Sequence, residues 1–198
     1  HGDEALRDNT LILVCSDNGP EQGAGVSGPF RGYKTQLYEG GVRSSLVAWG
    51  PGLLAKKDHV NRESVFSAID LVPTLLSLTE TPHPAGVRYD GEPLPDILLG
   101  KSLRSRNAPI YFRRPPDRDV FYGDEDLPDL AMRTGKWKFL CEYDGADSEL
   151  YDMETDRAET TNLAGKQEVL VADLTKSLIT WHQSMPTDRG AELARKKK

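Results

Sequence analysis

Between Asp17 and Gly41 the chain carries glycine at positions 19, 23, 25, 28, 32, 40 and 41 and has little aliphatic content. Such a stretch supplies neither the apolar stripe of a helix nor the alternation of a strand, so it reads as one long loop. Loops of this length inside compact domains are usually functional or disordered. The loop begins where the apolar run Thr10-Leu11-Ile12-Leu13-Val14-Cys15 stops at Asp17-Asn18-Gly19-Pro20. A near-continuous apolar run is the pattern of a strand buried on both faces, as parallel strands are. Residues 10–15 are therefore expected to need neighbouring strands and covering helices.

After the loop, Val42–Trp49 reads as a second strand closed by Gly50-Pro51-Gly52, and Ser67–Leu78 reads as a helix. Asp70 is placed to cap that helix, with Pro73 in its first turn, where a missing N–H is tolerated. Pro82, Pro84, Gly86, Gly91, Pro93 and Pro95 then mark a linker or long surface connection. Beyond it the texture changes to short strands at Pro109–Phe112, Leu130–Thr134, Trp137–Tyr143 and Glu149–Asp152. Gly135-Lys136 joins the second and third as a tight hairpin. A final helix over 166–183 sets Leu170, Val171, Leu174, Leu178 and Trp181 at helical spacing, with Pro186 just beyond it. The fold class is α/β: a partial α/β sheet domain over 1–100, followed over 101–198 by a small α+β subdomain with an antiparallel sheet and a C-terminal helix.

Composition narrows the function classes. With 198 residues and 37% hydrophobic content the chain can bury a substantial core. Its 25 basic residues are scattered against 31 acidic ones, for a net charge of −6, which argues against nucleic acid as a partner. The terminal cluster Arg195-Lys196-Lys197-Lys198 reads as a solvated, frayed end. No apolar stretch is long enough to span a bilayer, so no membrane partner is expected, and residues 1–4 lack the character of a signal peptide. Cys15 and Cys141 lie inside apolar runs and read as small buried hydrophobes, with a disulfide between them left open.

The residues with chemistry sit in the loop. Asp17 offers a charged oxygen and Asn18 a neutral carbonyl oxygen, both suited to a hard divalent cation such as Ca²⁺ or Mg²⁺. Asp-Asn-Gly is also a good turn sequence. Lys34 is a mobile point charge in a glycine-rich setting, able to reach an anionic ester, or simply a solvated lysine. Arg43, just before an apolar strand, reads either as an anion ligand or as a brace paired with Glu39, and the brace is the favoured reading.

Together these stretches resemble a known family. Residues 10–19, then Gly32-Tyr33-Lys34-Thr35-Gln36-Leu37-Tyr38-Glu39-Gly40-Gly41-Val42-Arg43, then Ala48–Gly52, Ile69–Leu76, Arg133–Lys138 and Glu149–Asp156 leading to Asn162-Leu163, are similar in order to type I sulfatases of the alkaline phosphatase superfamily. The resemblance implies a sulfuric ester hydrolase acting on an aryl or carbohydrate sulfate. It implies that Asp17 and Asn18 are two ligands of an active-site Ca²⁺ and that Lys34 is the catalytic and substrate-binding lysine at the sulfate. It further implies export to a periplasm or the cell exterior. The family's nucleophile is a formylglycine made from a Cys/Ser-x-Pro-x-Arg motif, and the chain is read as lacking it: Cys15 is followed by Ser-Asp-Asn and Cys141 by Glu-Tyr-Asp.

These residues are therefore expected to form the C-terminal portion of a sulfatase, catalytically inert alone and with an incomplete Ca²⁺ site. Its strand at 10–15 is expected to self-associate or stay disordered. A non-catalytic sulfatase-like binding module and another hydrolase of the same superfamily are the alternatives. Arg113, Arg114, Arg118 and Tyr122 form a charged, aromatic segment that would suit an acidic sugar or a solvated loop.

Overall fold

The computed structural model describes residues 4–114 and 127–186. The chain divides into two compact units, one made of His1–Ser16 with Ser45–Ala108 and the other of Asp17–Ser44 with Pro109–Lys198. Arg118, Tyr122 and the terminal basic cluster lie outside the described residues.

In the first unit a short helix α1 (Glu4–Asp8) leads into β1 (Ile12–Cys15), which pairs with β2 (Leu46–Trp49). The ladder is antiparallel, with Ile12 opposite Trp49 and Cys15 opposite Leu46. This corrects the expectation of a parallel strand buried on both faces. Ile12, Val14, Val47 and Trp49 are each about half exposed, because among the described residues β1 and β2 are the whole sheet and no helix covers that face. Cys15 is exposed as well, whereas Cys141 is fully buried as expected; both are free thiols. Burial pushes the Cys141 thiol up to about 12.

A 3₁₀ turn (Ala68–Asp70) precedes α3 (Leu71–Leu78), and α4 (Pro95–Leu98) follows the proline-rich connection. Asp70 stands at the cap position of α3, but its carboxylate does not cap that helix. It accepts from the Ser67 N–H at 2.8 Å and the Glu92 N–H at 2.9 Å, and it pairs with the buried guanidinium of Arg106 at 3.3 Å. Asp70 therefore ties together three segments remote in sequence. A fully buried carboxylate is sustained in such a place only by partners of this kind.

The second unit is built on a four-stranded antiparallel sheet: α2 (Glu39–Val42), then β3 (Ile110–Arg113), β4 (Leu130–Thr134), β5 (Trp137–Cys141) and β6 (Glu149–Asp152) in sheet order β3-β4-β5-β6. The strands fall close to their expected positions, and residues 135–136 form the expected turn. The pleat sends alternate residues to opposite faces. Leu130, Met132, Phe139, Cys141 and Leu150 face the long helix α5 (Glu168–Ser184), which buries Leu174 and Leu178 against them. Trp181 stacks on Tyr111, with ring centroids 5.0 Å apart. Ala131, Leu140 and Tyr151 face the other way and meet Leu37 and Tyr38. The loop of residues 17–44 therefore covers the sheet face opposite α5.

Candidate functional site

Two glycines decide how the loop closes. A Cβ on Gly40 would lie 2.2 Å from the Gly32 carbonyl oxygen, and one on Gly41 would lie 2.1 Å from that of Gln36. No side chain fits at either place, so the backbone of α2 passes directly against the residues around Lys34. Backbone bonds fix the arrangement: Gly40 N–H donates to Arg31 O at 2.7 Å, Gly19 N–H to Gly41 O at 3.0 Å and Lys34 N–H to Pro20 O at 3.0 Å. These bonds join the Asp17-Asn18-Gly19 segment, the Lys34 turn and α2 into one folded loop. The sequence does not show this, because the partners are backbone atoms.

The loop is seated on the sheet by two polar clusters. In the first, Arg31 lies over the Tyr38 ring at 3.7 Å and donates to the Tyr151 hydroxyl at 2.8 Å and to Glu149 at 3.2 Å. The Tyr38 hydroxyl donates to Glu149 Oε1 at 2.8 Å, and Tyr151 also donates to Glu149. Burial and bonding to Glu149 push both phenols above their ordinary range. In the second, Lys138 Nζ donates to Glu39 Oε1 at 3.2 Å, Arg43 pairs with Glu39 Oε2 at 3.4 Å, and the Glu39 N–H donates to Glu159 Oε2 at 2.7 Å. Arg43 is thus the brace for Glu39 that its spacing suggested. Burial alone would raise the Glu39 carboxyl, but Lys138 overrides it and holds that carboxyl below its ordinary range.

The residues expected to carry chemistry lie within this same unit. Asp17 is exposed. Asn18 is half buried, and its amide donates to Gly19 O at 2.9 Å. The Lys34 ammonium pairs with Glu21 Oε2 at 3.1 Å, both side chains being near half exposed. Lys34 sits in a turn closed by Gln36 N–H to Tyr33 O at 3.0 Å, and its neighbour Thr35 has φ +83°, a conformation rare for a β-branched residue. Asp17 and Asn18 are the right donor types for a hard cation, but such an ion takes about six to eight oxygens. Among the described residues no group of three or more His, Cys, Asp or Glu is placed to hold a metal.

Two further readings change. Arg114 is buried and donates to Leu127 O at 3.2 Å, so it serves the sheet edge. Arg113 donates to Pro186 O at 3.5 Å. Secondly, the pentapeptide Ser27-Gly28-Pro29-Phe30-Arg31 does have the form Ser-x-Pro-x-Arg. Reading from the two cysteines passes it over, and the expectation that no such pattern occurs is wrong as stated. In the structure it is a turn: Phe30 N–H donates to Ser27 O at 3.0 Å, the Ser27 hydroxyl donates to Phe30 O at 3.1 Å, and Arg31 is committed to Tyr38 and the sheet.

Residues 2–81 match the Sulfatase family model. Arylsulfatase A of Homo sapiens is 38% identical over 143 residues, 69% of this chain and 26% of that protein. N-acetylgalactosamine-6-O-sulfatase of Bacteroides thetaiotaomicron is 27% identical over 201 residues, 87% of this chain and 36% of that protein. Among solved structures, one from work on the metabolism of multiple glycosaminoglycans by Bacteroides thetaiotaomicron superposes with a TM-score of 0.69 at 25% identity, covering 87% of this chain and 38% of the other. The crystal structure of Ps i-CgsB does so at the same score and identity, covering 90% and 37%. Through residues 2–81 the chain carries a sulfatase-family domain. It spans between about a quarter and two fifths of the length of these relatives.

Proposed function

We propose that the chain is the C-terminal portion of a calcium-dependent sulfatase that hydrolyses sulfate esters of aryl alcohols or carbohydrates outside the cytoplasm. The observation that carries this reading is the folded loop. Its backbone bonds gather Asp17, Asn18 and Lys34, a carboxylate, a carboxamide and an ammonium, into one unit supported from beneath by the sheet. The pattern suits a sulfate ester, whose oxygens gain negative charge as the S–O bond breaks. Bound Ca²⁺ would supply Lewis acidity at those oxygens. Asp17 and Asn18 would hold that ion as two of its ligands. Lys34 would hold the sulfate group and stabilise the charge developing on it, by the logic of preorganised electrostatic sites. For Lys34 to do so it must release Glu21, an exposed pair of a kind worth about 0–1 kcal/mol.

No step is assigned to a formylglycine. Cys141 is buried in the core, Cys15 is followed by Ser-Asp, and the Ser27 hydroxyl closes a turn. The purified chain is therefore expected to turn over no aryl sulfate. Hydrolysis of p-nitrophenyl sulfate above the level of a Lys34→Ala control would refute that. Intact-mass and peptide mass spectrometry should find Ser27 as serine; an aldehyde at that position would make this chain the bearer of its own nucleophile.

A second reading, a non-catalytic sulfatase-like binding module, draws on the meagre donor set around Asp17 and Asn18. The relatives named above include an N-acetylgalactosamine-6-O-sulfatase, and Ps i-CgsB was also solved with a k-i-k-neocarrahexaose. A carbohydrate sulfate is accordingly the ligand to try first. Calorimetry with such an oligosaccharide separates the readings: binding in the absence of Ca²⁺ favours the module, and binding only with Ca²⁺ favours the enzyme portion.

A further inference from the structure

Beneath α2 lies a buried charge cluster on the sheet face that the loop covers. Lys138 is fully buried, Glu159 is 2% exposed and Glu39 is 8% exposed. Glu159 presents Oε2 to the Glu39 N–H at 2.7 Å, while its Oε1 is buried with no hydrogen-bond partner. Two carboxyl groups thus share one fully buried ammonium, and the one with the poorer supply of cations and hydrogen-bond donors is the one that stays neutral. The neighbours decide which. Glu39 receives Lys138 from β5 at 3.2 Å and Arg43 from its own helix at 3.4 Å, and it lies in the field of Arg133 from β4. Glu159 faces the same Lys138, the repelling Glu39 carboxylate and, more weakly, Arg31 from the loop. An ionised carboxylate with a dry, undonated oxygen is far costlier to bury than a neutral acid that accepts one N–H.

We propose that neutral Glu159 is the positioning residue for the loop of residues 17–44, seating α2 on the sheet through the Glu39 N–H, and that its ionisation unseats α2. Burial, acting against the pull of Lys138, pushes the Glu159 carboxyl up to about 7. The sign follows. The folded form prefers the protonated acid, so the seat is at full strength below about pH 4, where the unfolded chain's glutamates are also protonated, and weakens as pH rises from there through about 7. The backbone bonds from Gly40 to Arg31 and from Gly19 to Gly41 connect that seat to the Asp17-Asn18 segment. The consequence for Asp17, Asn18 and Lys34 rests on the sulfatase reading; the seat itself does not.

The test uses the whole chain and needs no substrate. Carbon-13 NMR of the glutamate carboxyls and hydrogen-exchange protection of the Glu39, Gly40 and Gly41 amides are followed from about pH 5 to about pH 9. The expected result is a carboxyl, missing from the Glu159→Gln spectrum, that titrates near 7, with a fall in protection of those amides of at least about tenfold, the change that one unit of linkage produces. In Glu159→Gln the side-chain carbonyl accepts the same N–H and cannot ionise, so protection should stay high and flat. A Glu159 carboxyl that titrates in the ordinary range, or wild-type protection that is flat with pH, overturns the proposal. If Glu159→Gln fails to fold, backbone-assigned titration of wild-type Glu159 decides alone. Because nothing here depends on sulfate hydrolysis, failure of this seat and failure of the sulfatase reading are separate outcomes.

Discussion

Among the described residues, Thr35 is the one whose backbone conflicts most with its side chain. At φ +83° a β-branched residue is held where glycine is at ease, immediately after Lys34 in a turn closed by Tyr33 and Gln36. Strain of this type costs on the order of 1–3 kcal/mol, and glycine's greater freedom in the unfolded chain returns about 0.5–1 kcal/mol of it. Thr35→Gly is therefore expected to stabilise the fold by roughly 1 kcal/mol, read as a higher midpoint in urea at unchanged slope. A lower midpoint would mean that the threonine is held for packing. Gly40 is the opposite case. Gly40→Ala places a methyl 2.2 Å from a backbone carbonyl oxygen, which no rotamer relieves, and the loop must shift. A loss of about 3 kcal/mol is expected, at the upper end of the overpacking range. Circular dichroism melts would register it, and an unchanged melt would show that α2 is not packed as described.

At the scale of elements, what was legible followed from periodicity. β4, β5, β6, the turn between β4 and β5, and α5 all declare themselves through alternation or through Leu174 and Leu178 at helical spacing. The role of the sheet's second face was not legible. Arg133, Lys138 and Glu149 alternate with apolar residues, which is how a strand reads when one face meets water. Here Lys138 is fully buried instead, because the loop brings Glu39 down onto it. The loop's matching signal, Tyr38-Glu39-Gly40-Gly41, is local, and its partners are 99 to 120 residues away. No local pattern pairs them. The position of Asp17, Asn18 and Lys34 in one loop could be anticipated from spacing and resemblance, but the support beneath them could not. A direct check is Lys138→Met, which keeps the volume and removes the charge. It leaves the Glu39 carboxylate buried with only Arg43 bonded to it, and a loss of about 3–5 kcal/mol is expected from breaking a buried pair. The double variant Lys138→Met/Glu39→Gln should recover part of that loss, and a cycle showing no coupling would remove the pair from the account of the loop.

For the whole molecule, the first unit poses a question of solubility that the second does not. Ile12, Val14, Val47 and Trp49 lie on one face of the β1–β2 ribbon, opposite one another in register, and are 46–61% exposed. The same apolar run that suggested a buried strand is thus real as hydrophobicity and wrong as burial. Hydrophobic strands are used to being covered, and a two-stranded ribbon is marginal by itself. In the isolated chain the nearest available cover is a second copy. Burying the exposed half of four such side chains yields roughly 4 kcal/mol before the cost of association, which corresponds to a dissociation constant near 1 mM or weaker. Sedimentation of the purified chain should therefore show a weight-average mass that rises with concentration. Val14→Glu places a charge at the centre of the face and should hold the mass at that of a monomer while leaving the β3–β6 sheet and its helix intact by circular dichroism. A wild-type chain that stays monomeric up to about 1 mM would mean that burying this face does not repay the cost of association.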